Sequence, residues 1–258
     1  MIKEINSAAN PFVKQLRALA TSKKARQESS TFILEGWRGI ETLLKNDSCQ
    51  YRLETLVISE SFQKEGQLPE EIDTVQLPDP LFDRISDVKN AQGILAIIHH
   101  TPVPFKFRTD TGHYLLLDQI SDPGNLGTLI RSAVGAGFDG ILLHGDCVEP
   151  FNPKVVRSTM GTFAFASIHR IADGEIEEMI KAGYELCVTT GRGGDNLYEA
   201  AFSKKNLLVI GSEAHGVSDV LMQRASKKIT IPLAAACESL NAAIAGSICM
   251  FQMRNRAK

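Results

Sequence analysis

Short apolar runs that alternate with amphipathic stretches constrain the fold of this chain more than any other feature. Tyr114-Leu115-Leu116-Leu117 reads as a buried strand and Asp122-Pro123-Gly124 as a turn. Leu126, Leu129, Ile130, Ala133 and Val134 then fall on one face of a helix. Further strands are expected at 140–143, 164–168, 184–189, 207–211 and 228–231, the first running 114–118, with helices between most of them. That alternation predicts a mainly parallel sheet with helices on both faces, an α/β fold. In an open sheet of this kind, ligands bind beyond the carboxyl ends of the strands.

The residues before this region form a smaller α/β unit. Asn10-Pro11 suits a helix start, since Asn caps well and Pro fits the first helical position. Phe12, Val13, Leu16, Leu19 and Ala20 supply its apolar stripe. Strands are expected around 32–34, 56–58 and 93–98, and helices near 37–45 and 80–86. Residues 101–112 hold two prolines among polar residues and a Gly, a connecting segment by composition. The division expected is therefore 1–105, a linker at 106–112, and 113–258.

Charge is distributed unevenly. The 258 residues carry a formal net charge of −2, but residues 1–28 carry +4 and residues 46–100 carry −6. Lys14, Arg17, Lys23, Lys24 and Arg26 form the basic segment. A basic patch on a neutral chain can grip a polyanion, and it can equally be a solvated helix face. Five cysteines (Cys49, Cys147, Cys187, Cys237 and Cys249) show no metal-ligand spacing, and no metal is expected. The first residues lack the apolar core of a signal peptide, and no run approaches the roughly 18 apolar residues of a membrane span. A cytoplasmic chain with reduced thiols, away from membranes, is expected.

Gly135-Ala-Gly-Phe-Asp-Gly140 spells GxGxxG, yet the order of elements is wrong for dinucleotide binding. A helix precedes it and a strand follows, so the glycines read as a helix C-cap and tight turn.

Three polar loops follow expected strand ends. They contain Asn125 and Arg131, then Gly211 and Glu213, then Ser239 and Asn241. Six residues, nearly two helical turns, separate Asn125 from Arg131, which suggests a shared face. An Arg in the first turns opposes the helix dipole, so stability alone does not ask for it. Each residue also has an ordinary reading: Ser239 as the N-cap of the last helix, Asn241 as a surface residue, Glu213 as a loop carboxylate, Arg131 as an ion-pair partner.

Taken together and in order, the three loops resemble the three motifs of the SpoU (TrmH-like) family of RNA ribose 2′-O-methyltransferases in the SPOUT superfamily. The first is Asp122-Pro-Gly-Asn-Leu-Gly-Thr-Leu-Ile-Arg131. The second is Gly211-Ser-Glu-Ala-His-Gly-Val-Ser218, with Ala214 where the family usually has Gly. The third is Ile231-Pro-Leu-Ala-Ala-Ala-Cys-Glu-Ser-Leu-Asn241, with Ala235 at a usual Gly. Pro153-Lys154-Val-Val-Arg157-Ser158 is similar to a family segment between motifs. The resemblance covers about residues 113–258, and Glu35-Gly36 after a strand looks like the L30e-like RNA-binding domain that many members carry.

The resemblance implies an α/β knot of the SPOUT type, with a C-terminal trefoil knot and a smaller L30e-like N-terminal domain. It implies S-adenosylmethionine as cofactor, held near Thr189, Gly191, Gly211, Ile231 and Leu240. Arg131, Asn125, Glu213, Ser239 and Asn241 would be catalytic, with Glu213 fixing Arg131 or a backbone group and Ser239 holding the loop or Asn125. Lys14, Arg17, Lys23, Lys24, Arg26, Lys154 and Arg157 would contact RNA, and the chain would be a homodimer. Ribosomal RNA is favoured over tRNA as substrate, because an N-terminal domain is present and little follows the third motif. A catalytically silent RNA-binding protein is the alternative from another functional class.

Overall fold

The structure is a computed structural model describing residues 2–46, 50–63, 68–86, 88 and 91–256. Cys49 lies outside the described residues. The chain forms two compact units, residues 1–103 with 151–165, and residues 104–150 with 166–258.

The first unit contains β1 (Ile2–Glu4), α1 (Pro11–Thr21), α2 (Lys23–Ser29), β2 (Thr31–Glu35), α3 (Trp37–Leu44), β3 (Tyr51–Ser59), β4 (Asp73–Leu77), α4 (Asp79–Phe82) and β5 (Ile94–His100). Its sheet runs β1-β4-β3-β5-β2. β2 and β3 both pair antiparallel to β5, whereas β4 is parallel to β1 and β3. Asn10 caps α1 as expected, its side chain accepting from Phe12 N–H at 2.9 Å. Ser22 then leaves the helical conformation and caps α2, so the basic segment is two helices rather than one. Val13, Leu16 and Leu19 of α1 pack with Ile33, Val57 and Leu95 of the sheet.

The second unit contains β6 (Gly112–Asp118), α5 (Pro123–Ala136), β7 (Gly140–His144), β8 (Ile168–Arg170), α7 (Asp173–Lys181), β9 (Glu185–Thr189), β10 (Asp195–Asn196), β11 (Lys205–Gly211), α8 (Asp219–Arg224), β12 (Lys227–Thr230) and α9 (Ala242–Arg256); α6 (Pro153–Ser158) lies between β7 and β8 in sequence. The sheet order is β10-β12-β9-β11-β6-β7-β8, and every pair is parallel. The expected α/β architecture is therefore present. Leu115, Leu116 and Leu117 on β6 are fully buried, as a strand covered on both faces requires. Gly137 ends α5 in the left-handed conformation at φ 71°, so the GxGxxG string is the cap and turn expected of it.

Two expectations change. No strand spans 164–168. Thr162–Phe165 is a short 3-10 helix, and the strand starts at Ile168. The apolar residues there serve the first unit: the Phe163 ring lies 5.4 Å from Phe32 and 4.9 Å from Tyr51, and Phe151 stacks on Phe32 at 5.0 Å. The short strands β1, β4 and β10 lack a distinct pattern and were not expected. Residues of the expected linker pack onto the second unit. Phe105 and Phe107 join its core, and the Arg108 carbonyl accepts from the Tyr184 hydroxyl at 2.8 Å.

Leu116→Ala should lower stability by about 2–5 kcal/mol, because the site is closed on both faces and leaves a cavity. A chemical-denaturation midpoint measures it, and an unshifted midpoint would contradict the packing described.

Candidate active site

β6 and β11 end side by side, β12 lies across β9 from β11, and the loops after these three strands carry the polar residues singled out above. β6 ends in Asp118, whose side chain is fully buried. Its carboxylate accepts from Ser218 N–H at 2.7 Å and meets His144 Nδ1 at 2.9 Å. A buried polar group needs hydrogen-bond partners, and these tie the loop after β11 to the sheet centre. α5 then starts on Asp122, which accepts from Asn125 N–H at 2.8 Å, with Pro123 in the first turn.

β11 ends in Gly211 against the turn that follows it. Ser212 and Gly216 pair with one another, and a Cβ on Gly211 would lie 2.1 Å from the Gly216 carbonyl carbon and 2.2 Å from Val217 N. Glycine is required by this approach of backbone to backbone. The turn presents Glu213 to Asn125, whose Nδ2 donates to Glu213 Oε1. Asn125 Oδ1 in turn accepts from Asn241 Nδ2 at 2.9 Å. Asn241 Oδ1 accepts from Ala243 N–H at 2.9 Å and Ile244 N–H at 3.2 Å, which makes it the cap of α9. Ser239, the expected cap, lies exposed on the preceding loop.

A cavity of about 400 Å³ opens beside this chain of amides. Thr189, Gly191, Gly211, Ile231 and Leu240, the five residues expected to hold the cofactor, all line it, together with Glu213, Ser239 and Asn241. Its size falls in the range of small-molecule sites. Apolar Val217, Ile229 and Ala245, and Thr190, also line it. Sequence reasoning passed over them because nothing distinguishes them from ordinary core and turn residues. Asp118 and His144 were missed too, although a carboxylate directly after three successive leucines was a usable signal.

Arg131 and Asn125 are not among the cavity-lining residues. Arg131 lies mid-helix in α5 and is exposed, making no hydrogen bond or ion pair to the described residues. Four expectations are corrected here. Six residues advance about 600° around a helix, so Arg131 and Asn125 leave α5 about 120° apart rather than on one face. The dipole argument also fades, since that effect is confined to the first turn. The Glu213 carboxylate meets Asn125 rather than Arg131, and the Asn125 carbonyl accepts from Asn241 rather than from Ser239.

The basic residues all lie in the first compact unit. Lys14, Lys23, Lys24 and Lys154 are exposed, and Arg17 is half-buried. Lys24 pairs with Glu28 at 3.7 Å. Arg157 is half-buried and pairs with Glu35 at 3.4 Å. Arg26 departs from expectation: it is 5% exposed, and its guanidinium donates to the Leu19 carbonyl at 2.6 Å, so it locks the α1–α2 corner instead of facing a ligand.

Comparison with known proteins gives a consistent result. Residues 112–251 match the SpoU rRNA Methylase family, and residues 10–96 match the MRM3-like substrate binding domain. The 23S rRNA (guanosine(2553)-2′-O)-methyltransferase RlmP of Bacillus subtilis (strain 168) is 30% identical across 98% of this chain and 100% of its own length. Among solved structures, the AdoMet-bound rRNA methyltransferase from Sinorhizobium meliloti superposes with a TM-score of 0.87 at 31% identity, covering 98% of both chains. The SpoU methyltransferase AviRb from Streptomyces viridochromogenes, in complex with the cofactor AdoMet, superposes at 0.81 with 25% identity, covering 95% of this chain and 97% of its own.

Gly211→Ala should weaken S-adenosylmethionine binding by at least about tenfold, or about 1.4 kcal/mol, since the new methyl would push the 212–217 turn into the cavity wall. Titration calorimetry reads the effect, and wild-type affinity in the variant would separate the turn from the binding site.

Proposed function

The chain belongs to the SpoU rRNA methylase family, and from that premise we propose that it transfers a methyl group from S-adenosylmethionine to a ribose 2′-hydroxyl of ribosomal RNA. The observation that carries the reading is the cavity at the carboxyl edge of the sheet, flanked by the Glu213–Asn125–Asn241 chain. Two of the solved neighbours are named as AdoMet-bound, and the cavity residues here suit that cofactor. Small residues Gly191, Gly211 and Ala242 leave room in the cavity for an adenine, while Ile229, Ile231 and Leu240 give it an apolar wall. S-adenosylmethionine, when bound, supplies an already activated methyl group.

The chain's own residues must then orient the acceptor and raise its nucleophilicity. A ribose hydroxyl is a poor nucleophile while protonated and needs placement in line with the methyl. Asn125 and Asn241 supply fixed amides for the ribose. Arg131 carries a guanidinium, a group that is a poor proton acceptor. Its role is to grip the phosphate and hydroxyl, stabilising the oxyanion character that develops as the hydroxyl proton passes to solvent and the methyl leaves a neutral thioether behind.

Several finer features belong to the same proposal. Residues 1–105 serve as the RNA substrate-binding domain, with Lys14, Arg17, Lys23 and Lys24 as phosphate contacts joined by Lys154 and Arg157 of the 151–165 segment, and 113–258 carry the catalysis. The protein is a cytoplasmic RNA-processing enzyme whose C-terminal segment is knotted. It acts as a homodimer: Ile244 and Phe251 on α9 are 52% and 47% exposed, an apolar stripe that a second copy would cover. Arg131 is exposed on α5, against which α9 packs through Gly246 on Leu129 and Phe251 beside Gly135, so the dimer would bring the site close to the interface.

Mass-spectrometric mapping of 2′-O-methyl groups in ribosomal RNA, with and without this protein, should reveal one lost or gained position. No difference in any RNA would sink the reading. Arg131→Ala should lower methyl transfer by at least about 100-fold while S-adenosylmethionine still raises the melting temperature as in wild type. Equal transfer in the variant would remove Arg131 from the chemistry.

A further inference from the structure

A second cleft, of about 170 Å³, lies in the first compact unit, lined by Leu34, Glu35, Gly36, Arg38, Gly39, Val88, Gln92, Val156, Arg157, Met160 and Gly161. Its floor depends on two glycines. A Cβ on Gly39 would lie 2.9 Å from Leu34 Cδ1, and one on Gly161 would lie 3.0 Å from Thr42 Oγ1 and 3.4 Å from the Gly39 Cα. A side chain at Gly39 would press on Leu34 of the cleft wall, and one at Gly161 on Thr42 and Gly39. Met160, just before Gly161, holds a left-handed backbone at φ 53° and is 46% exposed. A non-glycine residue in that conformation is uncommon and costs free energy, so an exposed thioether at this rim calls for a reason other than stability.

The polar groups of the cleft are organised unequally. The Glu35 carboxylate is engaged by the Ser86 hydroxyl and by Arg157, so its charge is compensated. Gln92 Oε1 accepts from Trp37 N–H at 2.8 Å, which turns the Gln92 Nε2 hydrogens toward other acceptors. Arg38 is exposed, and its guanidinium meets no partner among the described residues. The cleft thus offers apolar walls, an amide donor and a net positive rim, in a volume below the roughly 300–1,000 Å³ of sites for larger ligands.

On the RNA reading given above, we propose that this cleft takes one unstacked nucleobase of the RNA substrate, with Arg38 at the adjoining phosphate. The base lies between the Met160 thioether and the apolar wall of Leu34, Val88 and Val156, and its edge meets the Gln92 amide. Single-stranded RNA is read in this manner, by splayed bases on flat or apolar side chains with arginines at the backbone. The cleft selects for an extruded nucleotide and leaves base-paired RNA to the exposed lysines.

The full-length chain supplies its own reporter, because Trp37 is its single tryptophan and adjoins Gly36 and Arg38. The probe is a short single-stranded oligouridylate carrying one 5-iodouridine. It should change Trp37 emission saturably and cross-link, on irradiation, to peptides containing residues 34–39 or 156–161. Arg38→Ala and Met160→Asn should each weaken binding by about tenfold while leaving S-adenosylmethionine binding unchanged. Asn tolerates the left-handed conformation better than Met, so loss of binding in Met160→Asn is not a folding defect. Wild-type affinity in both variants, or cross-links confined to other segments, overturns the cleft even where methyl transfer is intact. Cross-links at the cleft without methyl transfer to any RNA would keep the cleft and sink the methyltransferase reading instead.

Discussion

The first-turn N–H groups of α9 orient the whole polar set at the sheet edge. They take the Asn241 carbonyl oxygen, so the Asn241 NH2 must point away from the helix, toward Asn125. Asn125 then has its own carbonyl occupied, and only its NH2 remains for Glu213. Each bond contributes about 1 kcal/mol, but their joint effect is directional. The positive end of a helix and a carboxylate sit at opposite ends of a line of amides; flipping Asn125 would break two contacts and flipping Asn241 three. Three segments far apart in sequence are thereby held in one register.

That register is supported from below by backbone rather than side-chain packing. Gly211 lets the 212–216 turn fold back onto its own strand, and Asp118 anchors the far end of the same turn through Ser218 N–H. On α9, Gly246 admits Leu129 of α5 at a distance no Cβ would allow, and Ser247 shares a hydrogen bond with Ser132 at 2.7 Å. The rigid parts of the site are thus built where side chains are smallest. Glu213, Arg131 and the 232–239 loop remain exposed, as groups that meet a large substrate need to be.

Much of this was legible in the sequence, for physical reasons that also mark the limit. The leucine run of β6, the Asp122-Pro123 start of α5 and the Gly137 cap are local signals, and all three appear where expected. The five cavity residues came from resemblance, and they share one cavity. Contacts that depend on tertiary neighbours were not legible. Ala164 and Phe165 look like the start of a strand, but they end a 3-10 turn whose Phe163 packs on Phe32 and Tyr51. Arg26 counts as a basic surface residue until the Leu19 carbonyl turns it inward. The reach of Arg131 was misjudged by counting turns without counting angle.

The order of strands in the parallel sheet has a consequence for synthesis. β6 leaves the ribosome early, yet its partner β11 lies about 90 residues further along the chain, and α9, which packs against α5, closes the C-terminal end. Until then the leucine face and one hydrogen-bonding edge of β6 are unsatisfied, the condition under which nascent chains pair wrongly or attract chaperones. β2 and β5 of the first unit, by contrast, are complete well before that point, although their aromatic cover from Phe151 and Phe163 arrives only later. Translation speed across residues 118–205 therefore sets how long this protein spends as an aggregation-prone intermediate.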